Sequence, residues 1–258
     1  MHGETRGLMK APAFLAIEYK TEKGEMCKEI ERGWLLNRKG DLKMEKASKT
    51  EMVRRTMIFL VGLALNSLGV ALVTKASLGT SPISSIPYVL SLNFSASLGM
   101  FTILFSLLLI ALQLILLRKQ FRPVQLLQIP VSLLFGYLID GAMMLLALFS
   151  PSQYASQLGC LILGCVVLGV GVYLEVLADI VMLPGEAFVR AVTVCAKTEF
   201  GKTKIAFDVS MTVIAGVLSF VFAARLDGVG VGAIIAAAAV GWVAGMVARF
   251  AAKVTKKA

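Results

Sequence analysis

Between Met57 and Ala248 apolar runs recur, each long enough at 1.5 Å per residue to cross about 30 Å of hydrocarbon. We count six: Met57–Thr74, Gly99–Leu117, Val124–Leu146, Leu158–Leu177, Ile205–Ala224 and Gly228–Ala248. Backbone polar groups have no water to bond at that depth, so the runs must be helices or a closed barrel, and their length selects helices. Composition agrees: 57% of the residues are hydrophobic, only 16% are charged, and the mean hydropathy is +0.80. Such a chain is neither disordered, nor a disulfide scaffold, nor an ordinary water-soluble enzyme. Its first partner is the lipid bilayer.

Lys and Arg in short loops set the orientation, because positive residues stay on the cytoplasmic side. With the N-terminus inside, the inner segments hold Arg54, Arg55, Arg118, Lys119, Arg122, Arg190, Lys197, Lys202, Lys204, Arg249, Lys253, Lys256 and Lys257, against Lys75 and Arg225 outside. Both termini are expected in the cytoplasm of a multi-pass protein of the bacterial inner membrane. Residues 1–52 mix charges of both signs without a helical or strand period. They read as a polar cytoplasmic tail, disordered or lying upstream of the true start at Met52.

Sliding the sequence on itself by 102 residues aligns Gly69–Leu117 with Gly171–Ser219 without a gap. Identical pairs include Pro82/Pro184, Gly99/Gly201, Phe105/Phe207 and Gly69/Gly171. This divides the membrane region into repeats at 53–155 and 156–258. Each repeat carries an odd number of spans, so the second enters the bilayer in the opposite sense. The expected fold is an all-α membrane protein of six transmembrane helices, arranged as two inverted three-helix repeats.

Each repeat also carries a broken or re-entrant helix after its first span. Thr74–Leu90 is too polar for a lipid-facing span and too apolar for a free loop. Ser81 is placed to cap a helix whose first position is Pro82, and Pro87 is expected to disrupt the next turn. In the second repeat Pro184 takes the place of Pro82, Gly185 permits close packing, and Glu186 favours the helix dipole. The candidate solute site is therefore Lys75, Thr80, Ser81, Pro82, Ser84 and Ser85 facing Pro184, Gly185 and Glu186. Hydroxyls and a cation lie on one side, and an acid on the other.

The octapeptide Lys75-Ala76-Ser77-Leu78-Gly79-Thr80-Ser81-Pro82 resembles the R/K-A-x-L-G-T-S-P signature of the bacterial YczE-like integral membrane proteins, relatives of the YitT group. The resemblance spans about residues 53–250. It implies a multi-pass architecture within a largely uncharacterised family and names no substrate. The second repeat departs from the signature at Leu177–Pro184, losing the Gly, Thr and Ser before the proline.

Among the remaining polar groups, Glu175, Asp179, Glu186 and Asp208 are expected to line a cytoplasmic vestibule or to form salt bridges with Arg190, Lys197, Lys202 and Lys204. Counting from Leu158 puts Glu175 near the cytoplasmic boundary. Asp140 falls near the outer boundary with Lys75, as a structural pair or a gate. His2 is the only histidine, the cysteines lack ligand spacing, and no P-loop sequence occurs. No metal, cofactor, catalytic residue or nucleic-acid partner is expected. Gly241 and Gly245 have GxxxG spacing, suited to packing inside the bundle or to a homo-oligomer. The function expected is that of a secondary transporter or permease for an unidentified small solute. The alternative is a non-transporting accessory or sensor protein.

Overall fold

A computed structural model describes residues 49–118, 123–149, 151–198 and 200–223, together with 230, 233, 236, 239, 240, 243, 246 and 247. The expected tail over 1–48, Gly241, Gly245 and most of the sixth run lie outside the described residues. Among the described residues all regular structure is helical. In chain order the helices are α1 (Lys49–Lys75), α2 (Pro82–Asn93), α3 (Leu98–Leu117), α4 (Gln128–Leu145, entered through a 3₁₀ turn at Pro123–Leu127), α5 (Tyr154–Ala178), α6 (Pro184–Ala196) and α7 (Phe200–Ala223). Five of them, α1, α3, α4, α5 and α7, are long and apolar enough to cross a membrane.

Their faces are sorted as lipid solvent requires. On α3, Leu104, Leu108 and Leu112 recur every four residues and are exposed, while Thr102, Ser106 and Gln113 are buried with Ile103 and Leu109. Exposed Val209, Val213 and Val217 make the same kind of stripe on α7. A water-soluble bundle would place these residues the other way round.

The helices differ from the apolar runs that mark them: α5 and α7 are helical from Tyr154 and Phe200, ahead of Leu158 and Ile205. α1 is already helical at Lys49, eight residues before Met57, and there Glu51 pairs with Arg54 at 2.8 Å and with Arg55 at 3.1 Å. α2 continues through Pro87 to Asn93 instead of breaking there. The proline removes a single bond, to the carbonyl of Ile83, and its buried ring is held by surrounding protein.

The most extensive packing is between α1 and α5. A Cβ on Gly69 would lie 2.7 Å from the Leu168 backbone, one on Gly171 would lie 2.6 Å from the Asn66 nitrogen, and one on Gly164 would lie 2.9 Å from the Val73 nitrogen. Only glycine permits this approach. The paired positions step in opposite directions, so the two helices run antiparallel.

The helices recur at the spacing of the sequence repeat. α6 and α7 begin 102 residues after α2 and α3, at Pro184 and Phe200 against Pro82 and Leu98. Ser77 (φ 57°) and Asp179 (φ 50°) both turn left-handed at the same point of the two segments. Contacts also exchange under the shift: α2 packs on α7 as α6 packs on α3, and the Gly69–Leu168 contact maps onto Gly171–Asn66. Ala236, Ala239 and Val240 of the C-terminal segment pack with Cys160, Leu161 and Cys165 of α5, and Val243 meets Gly169.

Candidate functional site

α2 and α6 have 12 and 13 residues, about 18 and 20 Å, too short to cross a bilayer. Each starts with proline at its first position, after a residue in nearly the same extended conformation: Ser81 at φ −63°, ψ 147° and Leu183 at φ −60°, ψ 148°. Their first turns meet. A Cβ on Gly185 would come within 2.9 Å of the Ile83 side chain, and these two residues are counterparts under the 102-residue shift.

Around that point the packed side chains come in counterpart pairs. Ile83, Phe105, Leu109, Phe188, Phe207 and Met211 share one cluster, with Phe188 and Phe207 ring centroids 5.6 Å apart. Ile86, the counterpart of Phe188, packs with Phe105 and Met211 in the adjoining cluster. The meeting point of the short helices is thus an apolar plug drawn from α2, α3, α6 and α7.

The expected hydroxyl face of α2 is buried and internally bonded. Thr80 is fully buried with its hydroxyl 3.2 Å from that of Thr74. Ser81 donates to the Ser84 hydroxyl at 3.0 Å, and Ser85 donates back to the Ser81 carbonyl at 3.0 Å. Ser81 therefore does not cap α2 with its side chain, contrary to the sequence expectation, because Ser84 takes up its hydroxyl. Lys75 ends α1, half-buried. Gly79 has its own reason to be glycine. It sits at φ +123°, and a Cβ there would lie 2.9 Å from the Ala233 nitrogen.

On the α6 side Pro184 and Gly185 are buried, and the Pro184 carbonyl accepts a 3.2 Å bond from the Gln113 side chain. Gln113 also donates to Gln128 at 3.3 Å, and both glutamines are almost wholly buried. They tie α3 and α4 to the first turn of α6.

The acids separate. Asp208 is paired with Lys204 on its own helix at 2.7 Å. Glu186, in the first turn of α6, lies within electrostatic reach of Lys204, Asp208 and Glu175. Asp179 caps the end of α5 and is exposed. Glu175 is 7% exposed and accepts a 3.0 Å bond from Asn66. Asp140 accepts from the Ser97 hydroxyl at 2.6 Å and the Gly99 backbone at 2.8 Å, and these groups, not Lys75, hold it. Asn66, Gln113 and Gln128 were not singled out from the sequence. Their signal was a carboxamide within or beside a long apolar run.

A family model matches residues 53–249, most of the chain and both repeats. The chain belongs to a family of unknown function, DUF6198. The DUF6198 match carries no YczE-like or YitT name, so that resemblance rests on the octapeptide alone. No curated protein and no solved structure matches the chain.

Proposed function

We propose that this DUF6198 protein is a six-span inner-membrane protein of two inverted halves, with both termini in the cytoplasm, and that it carries a small solute across the bilayer by exchanging an outward-open and an inward-open state. The observation that carries this reading is the meeting of two short, proline-started helices at a pair of counterpart residues, Ile83 and Gly185. Antiparallel α1 and α5 with exchangeable contacts support it, since a two-fold axis through their crossing lets the halves swap roles. Short helices at membrane depth are tolerated when protein surrounds them, and the positive end of a helix dipole suits a polar solute end. In this arrangement the apolar plug is the closed barrier between the two access paths.

The rival reading, an accessory or sensor protein without transport, draws on one observation: Thr80, Ser81, Ser84 and Ser85 are already bonded locally. Counterflow in proteoliposomes separates the two. Vesicles preloaded with small carboxylates, amino acids or polyols, chosen by ligand-dependent thermal shift, should accumulate label of at least one class. Gly185→Leu, which drives a side chain into Ile83, should reduce that uptake at least ~10-fold while the protein still inserts, an effect of about 1.4 kcal/mol on the barrier. Binding without accumulation for every class would establish the sensor reading instead.

A further inference from the structure

The α1–α5 seam holds one polar pair whose counterpart positions are apolar. The 102-residue shift relates Asn66 to Leu168 and Val73 to Glu175, so the Asn66–Glu175 pair has as its counterpart positions Leu168 and Val73. Those two residues are 5% and 0% exposed. In the polar pair, a carboxamide donates to a carboxyl at 3.0 Å. The counterpart positions are thus buried and apolar, and the same interface accommodates hydrophobic residues there.

The surroundings of Glu175 do not neutralise a carboxylate. α1 offers the neutral amide of Asn66. From α6 the ionisable group within electrostatic reach is a second acid, Glu186. Beyond Glu186 stand Lys204 and Asp208 of α7, already joined to each other at 2.7 Å. Arg190 of α6 directs its guanidinium at the Met182 sulfur, 3.4 Å away, and Asp179 lies one turn further along α5 in an exposed position. Among the described residues no ion pair reaches Glu175. A charged carboxylate buried without a cation costs several kcal/mol, whereas the neutral carboxyl is far cheaper and still accepts the Asn66 bond. Nor do three acid, cysteine or histidine side chains converge among the described residues as ligands of a metal ion would.

We propose that Glu175 is a proton-binding site in the seam between the two halves, holding a proton while the seam is shut and releasing it to water when the contacts with α1 open. The carboxylate takes its proton from water and returns it there, so each exchange of the halves moves one proton. The coupling role rests on the transport reading above. Proton binding itself does not.

Infrared difference spectra of the full-length protein in lipid, recorded between acid and alkaline buffers, test the site with the proton as the probe. The wild type should show the carbonyl stretch of a protonated carboxyl, disappearing in alkali. Glu175→Gln keeps the shape and the Asn66 bond, and should lose that band. The double variant Asn66→Leu with Glu175→Val, which installs the residues of the counterpart positions, should fold with an unchanged or higher thermal midpoint and also lack the band. Glu186→Gln should retain it with a shifted titration. The same band in Glu175→Gln would overturn the proposal, as would its removal by sodium at constant pH, which would make the site a cation site. A wild-type band in a protein without counterflow would leave the proton site standing and remove only the transport reading.

Discussion

Asp140 shows how an ionisable side chain in an apolar helix can be structural. Its carboxylate receives the Ser97 hydroxyl and the Gly99 amide, while the Ser97 hydroxyl receives the Met100 amide, so α4 braces the start of α3. Asp140→Ala should lower stability by about 1 to 2 kcal/mol, read as a lower thermal midpoint, without changing the affinity for any solute that binds. A loss of flux at constant midpoint would make Asp140 a gate instead. Residue counting placed this aspartate near a membrane boundary but could not supply its partners, because Ser97 is 43 residues away in sequence. Gly79 was visible as part of an unusual octapeptide. What the sequence could not show is that its hydrogen faces the backbone of Gly230 and Ala233, more than 150 residues later.

At the scale of elements, the long helices follow from apolar length alone, and the short ones from Pro82 and Pro184 after a polar interruption. Helix ends were less readable. α1 extends into polar sequence, where Glu51 pairs with Arg54, and Pro87 is absorbed by a buried helix, so neither boundary has a local signature. The α1–α5 seam depends on glycines that look alike in sequence and differ in surroundings. Gly69 has the Leu168 backbone against it, while Gly159, also helical, has nothing within 4 Å of a built Cβ. Gly69→Ala should therefore depress the thermal midpoint by several degrees. Gly159→Ala should leave it unchanged or raise it, by about 0.5 to 1 kcal/mol in stability, since alanine favours the helix. Equal effects at the two sites would contradict close approach as the reason for glycine in the seam.

On the scale of the whole molecule, the 102-residue repeat makes the start of α6 at Pro184 legible, whereas α7 is helical from Phe200, five residues ahead of the run expected from Ile205. The repeat did not show which polar residues meet. Asn66 and Glu175 are 109 positions apart, and Gln113 reaches Pro184 across 71. Contacts of that kind arise only once the halves are packed. The central claim is that these halves face opposite ways in the bilayer, and Ser95 and Lys197 report on it directly. They are counterparts, both exposed, in the segments that follow α2 and α6. In a background lacking Cys27 and Cys195, Ser95→Cys and Lys197→Cys should react with a membrane-impermeant maleimide from opposite sides, the first in intact cells and the second only after permeabilisation. Labelling of both from the same side would contradict the inverted arrangement and every functional conclusion drawn from it.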